Sequence, residues 1–177
     1  KIIVMKEQDP AKEEALVSDI SRYANSQNAV RQSDLSANKP FHVDVEALSS
    51  KVYCPDGVGR WFYERAEGSY NTLLAKEGAT AARLRDLKVS IPPSRKITKT
   101  ELAKYMMAWG ARPDVVSLGT QKCFERFMTL LGEAEAAGNP LITDPTFFKE
   151  LVAKALLYKA VHKATRPLVS AFLANVA

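Results

Sequence analysis

Cysteine and histidine are scarce in this sequence: Cys54, Cys123, His42 and His162 are the only four in 177 residues. No two of them share a CxxC or helical ligand spacing, so a structural zinc site is not expected, and no cofactor is expected either. Two separated thiols fit a reducing cytoplasm. Long apolar runs are also missing. The longest, such as Ala155-Leu156-Leu157-Tyr158, are brief and flanked by lysines, well short of the roughly 18 residues that span a bilayer. No membrane partner is expected. A Gly-x-Ser-x-Gly elbow is absent, and His42 with Ser36 makes a poor hydrolytic pair, so His42 reads as a surface or capping histidine. Gly57-Val58-Gly59 lacks the third glycine and the Lys-Ser/Thr of a phosphate loop. Pro55-Asp56 and Glu64 mimic a PD-(D/E)XK nuclease motif, but Ala66 stands where that chemistry wants a lysine. No self-contained catalytic motif remains. Lys1-Ile2-Ile3-Val4-Met5 opens on a strand-like run without an initiator methionine, and Ala171 to Ala177 ends in an apolar stretch without a cap. Both ends read as cuts in a larger protein.

What is present is an ordinary globular composition, 46% hydrophobic and 25% charged, sufficient for one domain or one plus an appendage. The net charge of +5 is unevenly spread. Residues 1–50 and 101–150 each carry −2, whereas 51–100 carry +5 and 151–177 carry +4. Two basic blocks could form a surface for a polyanion, or serve as the solvated faces of helices.

Asp9-Pro10 starts a helix whose Leu16, Ile20, Tyr23 and Ala24 recur at helical spacing. Asn25-Ser26-Gln27-Asn28 ends it. Ser33-Asp34 opens a second element, which Pro40 interrupts. Phe41, Val45, Leu48 and Val52 mark an amphipathic helix, and Pro55-Asp56-Gly57 a turn. Val58 to Arg65 reads as an aromatic strand, with Ile2 to Met5 as its best partner. After Gly68 the pattern is helical to the end. Leu84 and Leu87 lie on a helix stopped by Pro92-Pro93, and Thr98-Lys99-Thr100-Glu101 is a capping box. Leu102, Tyr105, Met106 and Trp109 form the inward face that follows. Further stripes are Phe124, Phe127, Met128 and Leu131, then Phe148, Leu151, Val152 and Ala155 after Asp144-Pro145; Thr165-Arg166-Pro167 restarts a last helix. The expected fold is mainly α (α+β). A mixed α/β portion over 1–68 continues an upstream domain, and an all-helical, bundle-like portion covers 69–177.

Three stretches carry a family resemblance. Ile20 to Val30, with Ala24-Asn25-Ser26-Gln27-Asn28, precedes Ser33-Asp34-Leu35-Ser36-Ala37-Asn38. Trp61-Phe62-Tyr63-Glu64-Arg65-Ala66-Glu67-Gly68-Ser69-Tyr70 is the second, and Pro92-Pro93-Ser94-Arg95-Lys96-Ile97-Thr98-Lys99-Thr100-Glu101-Leu102-Ala103-Lys104-Tyr105 the third. Their order and content resemble the AIPR family of bacterial abortive phage infection proteins. Residues 140–177 resemble it only in being helical. The resemblance implies a role in antiviral defence, with other defence proteins as partners. It also implies that Asn25, Ser26, Gln27, Asn28, Arg31, Asp34, Asn38, Glu64 and Arg65 are the motif residues to examine. Two segments usual upstream in such proteins are not in this chain, so a composite nuclease-like site completed by upstream residues is one alternative. A protein-interaction scaffold is another.

The leading expectation is nucleic-acid binding, to DNA or RNA. Arg83, Arg85, Lys88, Arg95, Lys96, Lys99 and Lys104 are the candidate phosphate contacts. Trp61, Tyr63 and Tyr70 could offer stacking faces to unpaired bases, although burial is the usual fate of such a tryptophan. Asn and Gln side chains in the 25–28 run could read base edges or cap a helix, with Glu64 pairing to Arg31 or Arg65.

Overall fold

The computed structural model describes residues 39–176. The helix expected after Asp9-Pro10, the element at Ser33-Asp34 and the strand at Ile2 to Met5 lie outside them.

Pro40 begins the first described helix, α1 (Pro40–Lys51). At the first helical position its missing N–H costs nothing, and the N–H groups of His42 and Val43 bond to the Lys39 carbonyl. Phe41, His42, Val45 and Ser49 form its buried face. A tight hairpin follows, with Tyr53 and Arg60 bridged antiparallel. Gly57 sits at its tip with φ +70, a backbone state that glycine adopts without a Cβ clash.

The aromatic strand is shorter than expected, β1 (Phe62–Glu64), and its described partner is β2 (Lys96–Thr98). They run parallel, pairing Phe62 with Lys96, Tyr63 with Ile97 and Glu64 with Thr98. A parallel pair needs a crossover, supplied by α2 (Ser69–Glu77) and α3 (Ala81–Ser90). This corrects the all-helical reading after Gly68. Three residues squeezed between a proline stop and a capping box are too few to show a period of two. Gly68 caps α2 in the left-handed region at φ +81, so only glycine enters this helix without strain.

The capping box forms as expected: Thr98 Oγ1 accepts from the Glu101 N–H, and Glu101 accepts from the Thr98 N–H. It launches α4 (Lys99–Trp109). After α5 (Pro113–Ser117), α6 (Thr120–Ala136) and α7 (Pro145–Val176) pack on α4 from two sides. Asp144 Oδ1 accepts from the Phe147 N–H and caps α7. The α6 stripe is buried as expected, as are Phe148, Leu151 and Ala155 of α7. Each large side chain so buried contributes about 1.5–3 kcal/mol. One core joins Phe41 and Val45, Tyr63 and Ile97, and the apolar faces of α4, α6 and α7.

Two helical expectations are corrected. Trp109 is 61% exposed, not inward. Because α4 is flanked by two helices, its buried arc widens to take in Ala103 and Met107, and Trp109, the last residue of the helix, stays outside it. Thr165-Arg166-Pro167 does not restart a helix, because α7 runs through Pro167. Residues 160–174 are exposed, so the carbonyl freed by the missing proline N–H faces water. The described part is mainly α with a small parallel β pair, and none of its helices is long and apolar enough to cross a membrane.

Candidate functional site

The second and third motif stretches meet along the β1–β2 ladder, each from one strand. Glu64 is buried, and its Oε2 lies 2.7 Å from Lys96 Nζ. Its Oε1 accepts from the Tyr70 N–H at 3.4 Å. Lys96 Nζ also lies 5.9 Å from the Tyr70 ring centre. The Tyr70 hydroxyl donates to the Ile91 carbonyl at 2.7 Å. Arg65 Nε bonds Glu46 Oε2 at 2.7 Å. Among the described residues Glu64 pairs with Lys96 and not with Arg65, which turns to an acid on α1; Arg31 lies outside them.

Tyr63 and Tyr70 are buried and offer no open stacking face, whereas Trp61, 7% exposed, borders a pocket beside the 53–60 hairpin. They fill the junction of β1 with the helices. His42 is likewise no surface residue. It is fully buried, its Nδ1 2.6 Å from the Tyr63 hydroxyl and its ring stacked near those of Tyr63 and Phe124. Nε2 has no hydrogen-bond partner among the described residues. Burial, reinforced by the Lys99 charge, pushes the imidazole down to about 4, so it is neutral at pH 7. Burial also holds the Tyr63 phenol far above its usual range.

Beside this packed junction stands the 53–60 hairpin. Cys54 N–H donates to the Gly59 carbonyl at 2.7 Å, and Gly57 N–H to the Cys54 carbonyl at 2.9 Å. Asp56 Oδ1 accepts from the N–H groups of Gly59 and Val58 at 2.7 and 2.9 Å. Those two bonds hold its carboxyl below the usual range. Its other oxygen faces Arg95 Nη1 at 3.9 Å. Arg60 N–H donates to the Ser90 carbonyl at 2.8 Å, tying the hairpin to the end of α3. The Arg60 guanidinium lies 5.6 Å from the Tyr53 ring centre. Val58 and Arg83 line one shallow depression of about 320 Å³. On the other side, Tyr53, Arg95 and Lys149 border a pocket of about 350 Å³.

Of the expected phosphate contacts, Arg83, Arg85 and Lys88 stand exposed on α3. Arg95 is half-buried at the hairpin. Lys96 is engaged with Glu64, Lys104 is half-buried on α4, and Lys99 is only 5% exposed. Asn25, Ser26, Gln27, Asn28, Arg31, Asp34 and Asn38 lie outside the described residues. Arg60, Lys149 and Lys159 were not anticipated. Lys159 Nζ donates to the carbonyls of Ser94 and Lys96 at 3.1 and 3.2 Å and lies 5.2 Å from the Trp61 ring centre, fastening α7 to β2. No local pattern distinguishes these cations from solvated ones. Among the described residues, no group of three or more His, Cys, Asp or Glu is placed to hold a metal ion.

Compared with known proteins, the chain matches one family model, described as AIPR protein, over residues 1–173. No curated protein and no solved structure matches it. With two motif stretches joined strand to strand and the match running nearly end to end, the chain belongs to the AIPR protein family, a membership that points to abortive infection and phage defence.

Proposed function

We propose that this chain holds nucleic acid on the basic surface around the 53–60 hairpin, as part of an abortive-infection defence protein. The observation that carries the reading is the set of cations gathered at this hairpin. Arg83 sits beside Val58, Arg95 beside Asp56, Arg60 over Tyr53, and Lys149 across the pocket. Arg83, Arg85 and Lys88 form no ion pair among the described residues, so their charge is available to phosphates. Each phosphate neutralised releases a condensed counterion, which favours binding at low salt.

The test is anisotropy titration of the full-length protein with single- and double-stranded DNA and RNA at several salt concentrations. Replacing Arg83, Arg85 and Lys88 together by alanine should weaken binding. It should also flatten the plot of log affinity against log salt by about 2 for a single strand. If the unmodified protein binds neither DNA nor RNA at low salt, the reading is wrong.

A second reading has its own observation. Leu157, Val161, Leu168 and Phe172 are exposed at spacings of one helix face, and Trp109 lies near the start of that strip, lining a groove with Leu157 and Val161. An apolar strip of this kind suits a helix of another defence protein. Under this reading the triple alanine variant retains partner binding, and Leu157→Asp with Val161→Asp abolishes it.

A further inference from the structure

The pocket between the hairpin and α7 has the size, walls and rim of a site for one nucleotide. It measures about 350 Å³, with Trp61, Phe148 and Val152 among its apolar walls, Tyr53 on the hairpin side, and Arg95 and Lys149 as its cations. Small-molecule sites fall in this volume range and combine an apolar lining with a few convergent polar groups. Aromatic walls favour a flat, weakly hydrated ring. Paired cations favour an attached phosphate.

Arg95 is the informative residue. Its one acidic partner among the described residues, Asp56, stands at 3.9 Å, beyond hydrogen-bonding distance. The side chain makes no hydrogen bond among the described residues, so its donor fork is unspent although the residue is half-buried. Asp56 cannot swing closer without giving up the Val58 and Gly59 N–H groups that its other oxygen accepts. Gly59 completes the arrangement: a Cβ there would collide with Arg95 Nη1. The guanidinium therefore lies against Gly59 and beside Asp56 at the edge of an aromatic pocket, with its hydrogen bonds unmade. A planar fork of this kind matches phosphate oxygens two at a time.

We propose that this pocket binds a nucleotide, base inward and phosphate on Arg95 and Lys149. The nucleotide is either free or an unpaired unit of a strand lying on the basic surface. In the second form the proposal rests on the nucleic-acid reading above.

The test is calorimetric titration of the full-length protein with AMP, GMP, CMP and UMP, and with a short single-stranded oligonucleotide. The variants are Val152→Trp, which fills the pocket, Arg95→Gln, which removes the fork, and the α3 triple alanine variant. Unfolding midpoints check that each still folds. At least one mononucleotide should bind; Arg95→Gln should weaken it about tenfold, the worth of a charge-assisted hydrogen bond, and Val152→Trp should weaken it at least as much by occupying the space. The α3 variant should leave mononucleotide binding within about twofold while weakening the oligonucleotide. Mononucleotide binding without oligonucleotide binding would support a free nucleotide and remove the surface reading. Oligonucleotide binding that needs α3 but tolerates both pocket variants would keep the surface reading and overturn the pocket. Absence of mononucleotide binding at millimolar concentration would also overturn it.

Discussion

Glu64 and Lys96 meet at 2.7 Å across the parallel ladder, one from each strand, with the carboxylate buried and the ammonium about one-third exposed. They join two stretches of sequence 32 residues apart. Removing one partner of a buried pair costs more than the pair is worth, because the remaining charge loses both its partner and its water.

Lys96→Met should therefore destabilise the protein by about 2–3 kcal/mol, discounted from the full penalty because the ammonium reaches solvent. The double variant Glu64→Gln with Lys96→Met should recover at least half of that loss. Urea unfolding of the four proteins in the double-mutant cycle measures both. Simple additivity of the two single effects would show that the pair is not coupled.

Thr98 ends β2, and its hydroxyl caps α4, the helix at the centre of the core. Thr98→Ala should cost about 1 kcal/mol, and Thr98→Ser much less, since serine keeps the acceptor. Thermal unfolding midpoints read the difference. Equal losses for the two substitutions would assign the effect to the threonine methyl instead of the cap.

Long-period features were legible in the sequence and short ones were not. The α6 and α7 stripes repeat over several turns, and Thr98-Glu101 and Asp144-Pro145 are local hydrogen-bonding signals needing no tertiary information. β2 is three residues long, and its partner is set by a crossover that no local pattern encodes. His42 read as a surface residue because nothing near it in sequence announces Tyr63 or Phe124. Glu64 and Arg65 stood out as motif residues, but their partners Lys96 and Glu46 come from distant strand and helix positions. Of the cations, those on α3 were visible as a run. Arg60 and Lys149 gain meaning only when the hairpin folds against α7.

Pro167 tests how independent the end of α7 is. The proline removes one intrahelical bond and crowds the preceding turn, a cost of about 3 kcal/mol in a helix interior. Pro167→Ala should slow amide hydrogen exchange through residues 160–172 and raise helical circular dichroism. The global unfolding free energy should change little, because this segment buries nothing in the core. A large rise in global stability would mean that the segment unfolds together with the core.

The buried His42 imparts a pH dependence whose sign follows from its environment. The imidazole titrates near 6.5 in the unfolded chain but is pushed down to about 4 by burial in the folded protein. Between those values the unfolded state binds a proton that the folded state refuses. Stability is therefore fully present above pH 6.5 and falls as the pH drops towards 4, by up to ~1.4 kcal/mol per unit and about 3 kcal/mol in all. His42→Leu forfeits the Tyr63 hydrogen bond, so it should be less stable at neutral pH, but it should lack this slope. Urea midpoints taken across pH 4 to 6.5 compare the two proteins directly. If the leucine variant loses stability with acid as steeply as the parent, the acid sensitivity belongs to the carboxylates, and His42 is protonated in the folded protein as readily as in the unfolded chain.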